Sequence, residues 1–272
     1  MIKSENITSN TNNSKPIGIF DSGVGGLSIA KCIQEQLPNE HLIYMADSLY
    51  APYGCKPTHL IQQRVEIIAQ HLLKKNVKAL VVACNTATVN AVDQLREKFS
   101  IPIIGVEPAI KPAAIYSKTK KVAILVTQAT ATNSRFLSLV DRFSTNIDTM
   151  IQPCPGLVEL IEQGEVDSQK CHTLLLSYLN PLLQNQVDTL VLGCTHYPFL
   201  IDKIKAIVGT QMKIMETASP VTEQLNRILF AHQLSAPVKQ IAHYEFYSSN
   251  CSSEQSQLFS YLWQSTVMLK TF

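Results

Sequence analysis

Two segments set 110 positions apart share one pattern. VKALVVACNTA runs from Val77 to Ala87, and VDTLVLGCTHY from Val187 to Tyr197. Each begins as an apolar run of strand length, reaches a cysteine and passes at once into small polar residues. A second pair repeats the relation, since IGIFDS from Ile17 lies over VAILVT from Val122 at an offset of 105. One match between apolar strands is common. Two matches in the same order at nearly equal offsets point to duplicated halves.

Strand-length apolar runs lie at 16–20, 41–46, 79–83, 101–106, 121–127 and 188–193. Between and beyond them the apolar spacing turns helical, at 25–37, 58–75, 87–99, 133–143, 172–186, 197–208 and 220–234, with Thr58 as an N-cap. Strands apolar on both faces that alternate with helices mark parallel sheets covered on both sides, so the expected fold class is α/β. IAHYEFYSS from Ile241 alternates like a strand and reads as an edge.

The 272 residues are 46% hydrophobic and 16% charged, which suits a packed core. Net charge is +2 with no basic run, so neither nucleic acid nor an anionic membrane surface is indicated as a partner. The opening MIKSENITSNTNNSK is polar, has no apolar signal-peptide core and reads as the disordered tail of a cytoplasmic protein. Seven cysteines, an odd number without tight spacing, fit reduced thiols. With no C-x-x-C pair and no His-x-x-x-His beside an acid, no metal is expected.

Ligands of open parallel sheets bind beyond the C-terminal strand ends, where Cys84 and Cys194 both fall. A lone free cysteine there is most often a small buried hydrophobe. A matched pair followed by Asn-Thr and Thr-His suits chemistry better. Two acid–base groups on opposite sides of one ligand can invert a carbon that bears an acidic hydrogen: one removes the proton and the other delivers one to the far face. A thiol with a reference pKa of about 8.5 reaches both forms near neutral pH.

Asn85, Thr86 and Thr195 can hydrogen-bond a substrate carboxylate, and N–H groups that open a helix after each cysteine attract anions. His196 can exchange a proton with Cys194, or be a surface turn histidine. FDSGVGGLS, from Phe20, has the glycines of a phosphate loop, and Asp47 stands where a dinucleotide fold keeps its ribose-binding acid. The third glycine of G-x-G-x-x-G is missing, however, and Asp21 would repel a pyrophosphate. That carboxylate better suits an ammonium group or the orienting of a proton donor. In APYGCKP, Tyr53 and Gly54 can close over a ligand. Thr127 and Thr130 bind a carboxylate or merely cap a helix.

With FDSGVGGLS, PYG, VVACNTA, GVEPAIKPA and LVLGCTHYP in this order, the chain resembles the glutamate racemases of the cofactor-independent aspartate/glutamate racemase superfamily, from Pro16 to Leu229. The resemblance implies two similar parallel-sheet α/β domains related by a pseudo-twofold axis, with glutamate bound in the cleft between them and no cofactor. The implied division is a tail over 1–15, a first domain of 16–108 with 217–272, and a second of 109–216. Cys84 would exchange the α-proton with D-glutamate, assisted by Asp21, and Cys194 with L-glutamate, assisted by His196. Glu162, in VELIEQG, would support the histidine. Ser22, Pro52, Tyr53, Gly54 and Asn85 would line the substrate site, together with Thr86, Thr127, Thr130 and Thr195.

The product would be D-glutamate for peptidoglycan. PAIKPA is similar to the proteobacterial branch, in which UDP-N-acetylmuramoyl-L-alanine can act as an activator. Members of the family associate in different ways, a homodimer among them. Other readings stay open: an aspartate or other amino-acid racemase of the same superfamily, or a binding protein with a redox-active cysteine pair.

Overall fold

In the computed structural model, which describes residues 12–272, each of the six apolar runs is a strand. The chain order begins β1 (Ile17–Asp21), α1 (Leu27–Gln36), β2 (Leu42–Ala46), α2 (Thr58–Lys74), β3 (Ala79–Val82), α3 (Asn85–Lys98) and β4 (Ile103–Gly105). It continues through α4 (Ile110–Tyr116), β5 (Lys121–Val126), α5 (Gln128–Ala131), α6 (Ser134–Phe143), β6 (Asp148–Pro153), α7 (Leu157–Glu162) and α8 (Gln169–Gln184). Then come β7 (Thr189–Leu192), α9 (Ile201–Val208), β8 (Lys213–Met215), α10 (Ala218–Ala231), β9 (Tyr244–Ser248), α11 (Ser253–Trp263) and β10 (Leu269–Thr271).

The strands form two parallel sheets, ordered β10-β9-β2-β1-β3-β4 and β6-β5-β7-β8. Within the first, β2-β1-β3-β4 repeats the order of the whole second sheet. The register repeats as well: Ile17 faces Ala79 in one sheet and Val122 faces Thr189 in the other. These residues are related by the same offsets of 105 and 110 that relate the sequence motifs. The duplication is therefore structural, residue against residue, and the two α/β units are alike.

Burial on both faces explains the continuous apolar runs. Along β3, Ala79 and Val81 join one core cluster while Leu80 and Val82 join another. Along β5, Ala123 and Leu125 share the first of these clusters with Ile17, Ile19 and Val81 of the other half. One apolar core thus runs across both units, and each fully buried Leu or Ile in it contributes roughly 1.5–3 kcal/mol.

Three strands carry no apolar run: β6, β8 and β10. All three are sheet edges, half-exposed, where one flank meets water and the pressure for apolar residues is low. The expected edge strand is a correction, because β9 lies between β2 and β10 with Phe246 and Tyr247 buried. Thr58 does not cap α2 either. Pro57 holds that position, and the Thr58 hydroxyl donates to Asn90 Oδ1 at 3.0 Å.

Two helices cross between the units. α4 follows β4, an edge strand of the first sheet, yet packs on α6 and β7, and α10 follows β8, an edge strand of the second, yet packs on α1 and β4. On those contacts we propose the division 16–108 with 217–272 against 109–216. Of the tail expected over 1–15, residues 1–11 lie outside the described residues. Residues 12–15 form a turn, and Lys78 Nζ donates to the Asn13 carbonyl at 2.6 Å, so this part is tied to the sheet. Among the described residues no helix is long and apolar enough to cross a membrane.

Candidate active site

β1 ends at Asp21, which is fully buried. Its Oδ1 accepts the Gly23 N–H at 2.8 Å, and its Oδ2 accepts the Thr195 hydroxyl at 3.0 Å. The Ser22 hydroxyl lies 3.5 Å from Asp21 Oδ1 and 3.7 Å from Cys84 Sγ, so the carboxylate reaches that thiol through the serine. β3, the neighbour of β1, ends two residues before Cys84. The cysteine is extended and N-caps α3, its sulfur accepting the Ala87 N–H at 3.4 Å. A helix N-terminus favours a thiolate. Burial outweighs it, and with the Asp21 charge added it pushes the Cys84 thiol well above the usual range. At neutral pH this group is S–H.

Cys194 follows β7 at the matching place. His196 Nδ1 is 3.8 Å from its sulfur, and His196 Nε2 is 2.6 Å from Glu162 Oε1. Burial disfavours a charged imidazole, but the hydrogen bonds with Cys194 and Glu162 outweigh it and raise the His196 pKa well above its ordinary value. In its charged form the imidazole donates to both neighbours. The expectation of a helix opening right after each cysteine holds for Cys84 alone. After Cys194 a 3-10 turn over Tyr197–Leu200, with His196 as its N-cap, precedes α9.

The glycines of FDSGVGGLS have a steric reason. A Cβ on Gly23 would sit 1.8 Å from Glu162 Oε1, and one on Gly25 would sit 2.2 Å from His196 Nδ1. This loop of the first unit is pressed against Glu162 and His196 of the second, and the Val24 N–H donates to Glu162 Oε1 at 2.8 Å. The space that a phosphate would need is filled by protein.

The remaining residues singled out in the sequence gather here. The hydroxyl oxygens of Thr86, Thr127 and Thr130 form a triangle with sides of 2.9, 3.3 and 3.0 Å that joins the two units. Thr127 also N-caps α5, so its two readings are compatible. Asn85 is 3% exposed, and neither atom of its side-chain amide has a hydrogen-bond partner among the described residues. Buried amides are nearly always paired, so this one keeps its donor and acceptor free for a polar group inside the site. Pro52 precedes a 3-10 turn over Tyr53–Cys55 in which Tyr53 is buried, and a Cβ on Gly54 would lie 2.8 Å from Thr127 Cβ. Cys55 is exposed on this lip.

A groove of about 680 Å³ opens beside Gly54, lined by Thr58 and Asn90 of one unit and Asn133 of the other. It does not reach the thiols, which are 5% and 6% exposed. The described residues hold no cluster of three His, Cys, Asp or Glu side chains suited to a metal ion. Two neighbours carried no sequence signal. The Tyr44 hydroxyl donates to the Gly23 carbonyl at 2.7 Å from inside an apolar strand, and the Ser28 hydroxyl donates to the Thr195 carbonyl at 3.1 Å.

A family model described as Asp/Glu/Hydantoin racemase matches residues 17–222. The chain is 42% identical over 253 residues to the glutamate racemase of Pseudomonas aeruginosa, covering 93% of this chain and 95% of that one. Its structure is similar to that of a glutamate racemase from Bacillus anthracis, with a TM-score of 0.88, 30% identity and coverage of 96% and 98%. It is also similar to the Escherichia coli glutamate racemase in complex with L-glutamate and the activator UDP-MurNAc-ala, with a TM-score of 0.84, 30% identity and coverage of 95% and 98%.

Proposed function

The chain belongs to the Asp/Glu/Hydantoin racemase family and interconverts L- and D-glutamate; we propose that it does so by passing protons through Cys84 and Cys194. In the L-to-D direction Cys194, as thiolate beside the His196 imidazolium, takes the α-proton. The electron pair left on carbon spreads into the α-carboxylate. The Cys84 thiol then gives its proton to the opposite face, which leaves Cys84 as thiolate and Cys194 as thiol. The D-to-L direction runs the same steps backwards.

Asp21 orients Cys84 through Ser22, and Glu162 holds His196 toward Cys194. The Asn85 amide, the hydroxyls of Ser22, Thr86, Thr127, Thr130 and Thr195, and the Pro52–Gly54 turn receive the substrate. One observation carries this reading: the Asp21–Thr195 hydrogen bond ties the Cys84 flank to the Cys194 flank inside one buried, polar site. Because both thiols are buried, glutamate enters when the two units part. The D-glutamate serves peptidoglycan synthesis in the cytoplasm. We extend the proposal to activation by the precursor UDP-N-acetylmuramoyl-L-alanine and to association as a homodimer.

Circular dichroism with L- and with D-glutamate in heavy water, with and without the precursor, tests it. Both signals should decay to zero while the product gains deuterium at the α-carbon. Racemisation without solvent deuterium would exclude thiol exchange, and a static signal would exclude the activity. Sedimentation reads the association state.

A further inference from the structure

Asp47 stands one residue past β2, in the position that suggested a ribose-binding acid, and it is fully buried. A carboxylate loses its hydration there and needs donors in exchange. It has three. Arg64, on α2, donates from Nη2 to Oδ1 at 2.7 Å and from Nε to Oδ2 at 2.8 Å. The Tyr53 hydroxyl donates to Oδ2 at 2.6 Å. The Asp47 backbone N–H donates to the Asp21 carbonyl at 3.1 Å, so this anchor rests on the end of the catalytic strand. The Arg64 guanidinium also lies over the Tyr50 ring, 3.9 Å from its centroid.

Tyr53 belongs to the turn that touches Thr127 across the cleft, and its ring packs in the same core cluster as Cys84 and Ala87. A buried ion pair is weak support for stability, since an apolar substitute of equal volume often serves as well. Its gain here is geometric: a bidentate guanidinium fixes the carboxylate, and the carboxylate fixes the phenol. The duplicated frame supplies a comparison. The register that sets Ile17 on Leu42 and Val122 on Thr149 makes Cys154 the counterpart of Asp47. The anchor therefore exists on the Cys84 flank alone.

We propose that Asp47 and Arg64 are positioning residues for the racemisation, holding the Tyr53 hydroxyl and with it the Pro52–Gly54 turn closed against Thr127 over bound glutamate. The inference rests on the proposed reaction. Neither Asp47 nor Arg64 need touch substrate. They act on how well the closed cleft binds it, so their loss weakens ground state and transition state alike.

The experiment measures kcat and KM for both enantiomers in Asp47→Asn, Arg64→Gln, Tyr53→Phe and the Asp47→Asn/Tyr53→Phe double variant, with Tm alongside. Each single change should raise KM by roughly three- to tenfold and leave kcat within about twofold, the signature of lost uniform binding. The double variant should show no more than the larger single effect, because both changes cut the same bond. Should Asp47→Asn fail to fold, Arg64→Gln and Tyr53→Phe decide, as Arg64 reaches the surface. Unchanged KM, multiplied effects in the double variant, or a kcat that falls in step with Tm would overturn the inference. An inactive wild-type enzyme would instead overturn the reaction assigned above.

Discussion

Thr195 gives its hydroxyl hydrogen to the Asp21 carboxylate at 3.0 Å, across a chain separation of 174 residues. One partner follows Cys194, and the other ends the strand next to the one that leads to Cys84. The bond therefore joins the two units across the cleft. Glu162 does the same from the opposite side, receiving His196 of its own unit and the Val24 N–H of the other. Each thiol thus lies beside groups that both units hold in place, which in the proposed mechanism are its acid–base partners.

Replacing Cys84 or Cys194 by Ala should each lower kcat by roughly a thousandfold, the scale of a lost general acid–base group. Circular dichroism with either enantiomer measures this. Near-normal turnover in both variants would refute the two-thiol mechanism.

Glu162→Gln should move the alkaline limb of the kcat/KM profile to lower pH. Hydrogen bonds with Cys194 and Glu162 keep His196 charged beyond its ordinary 6.5, and kcat/KM reports groups of the free enzyme. The linkage has a definite sign. A histidine whose folded pKa is raised contributes stability that is fully present below about pH 6.5 and is lost as pH rises through the folded value. The Tm gap between wild type and variant should therefore be widest in acid and shrink in base. A limb that does not move, or moves upward, contradicts this account.

Gly25→Ala should lower kcat by roughly a hundredfold with a folded protein, since its new methyl would meet His196 Nδ1 at 2.2 Å and drive the ring off Cys194. Turnover assays beside a thermal melt separate this effect from unfolding.

A small alkylating reagent at pH 7 should label Cys55 and Cys251 before Cys84, because the first two are exposed and burial keeps Cys84 as an unreactive thiol. Peptide mass spectrometry gives the order. The raised Cys84 pKa also stabilises the fold up to the ordinary thiol value of 9.0, a contribution lost as pH climbs above it. Alkaline unfolding should accordingly begin at lower pH in wild type than in Cys84→Ala.

The central strands were legible because both their faces are buried, so that ALVV and TLVL stand out as unbroken runs. The repeat was legible for the same reason, since equal burial selects similar residues. Edge strands such as β6 were not, because DTMIQP answers to water on one side. In the site, Cys84, Cys194 and His196 announced themselves by chemistry at strand ends. The roles of Gly23 and Gly25 were hidden, because what they make room for comes from residues more than a hundred positions away. Asp47 suggested the wrong ligand: position alone marked it, while its partners Tyr53 and Arg64 appear only once α2 is folded against the sheet.

The two flanks of the cleft are unlike, a serine-relayed carboxylate facing Cys84 and a histidine–glutamate pair facing Cys194. The two forms of glutamate, being mirror images, have equal free energy in water, so the mixture must end balanced whatever the enzyme does. It follows that kcat/KM has to be identical for both enantiomers, in this protein and in any variant of it. Unequal flanks can express themselves only in saturation: whatever factor separates the two turnover numbers must separate the two KM values equally.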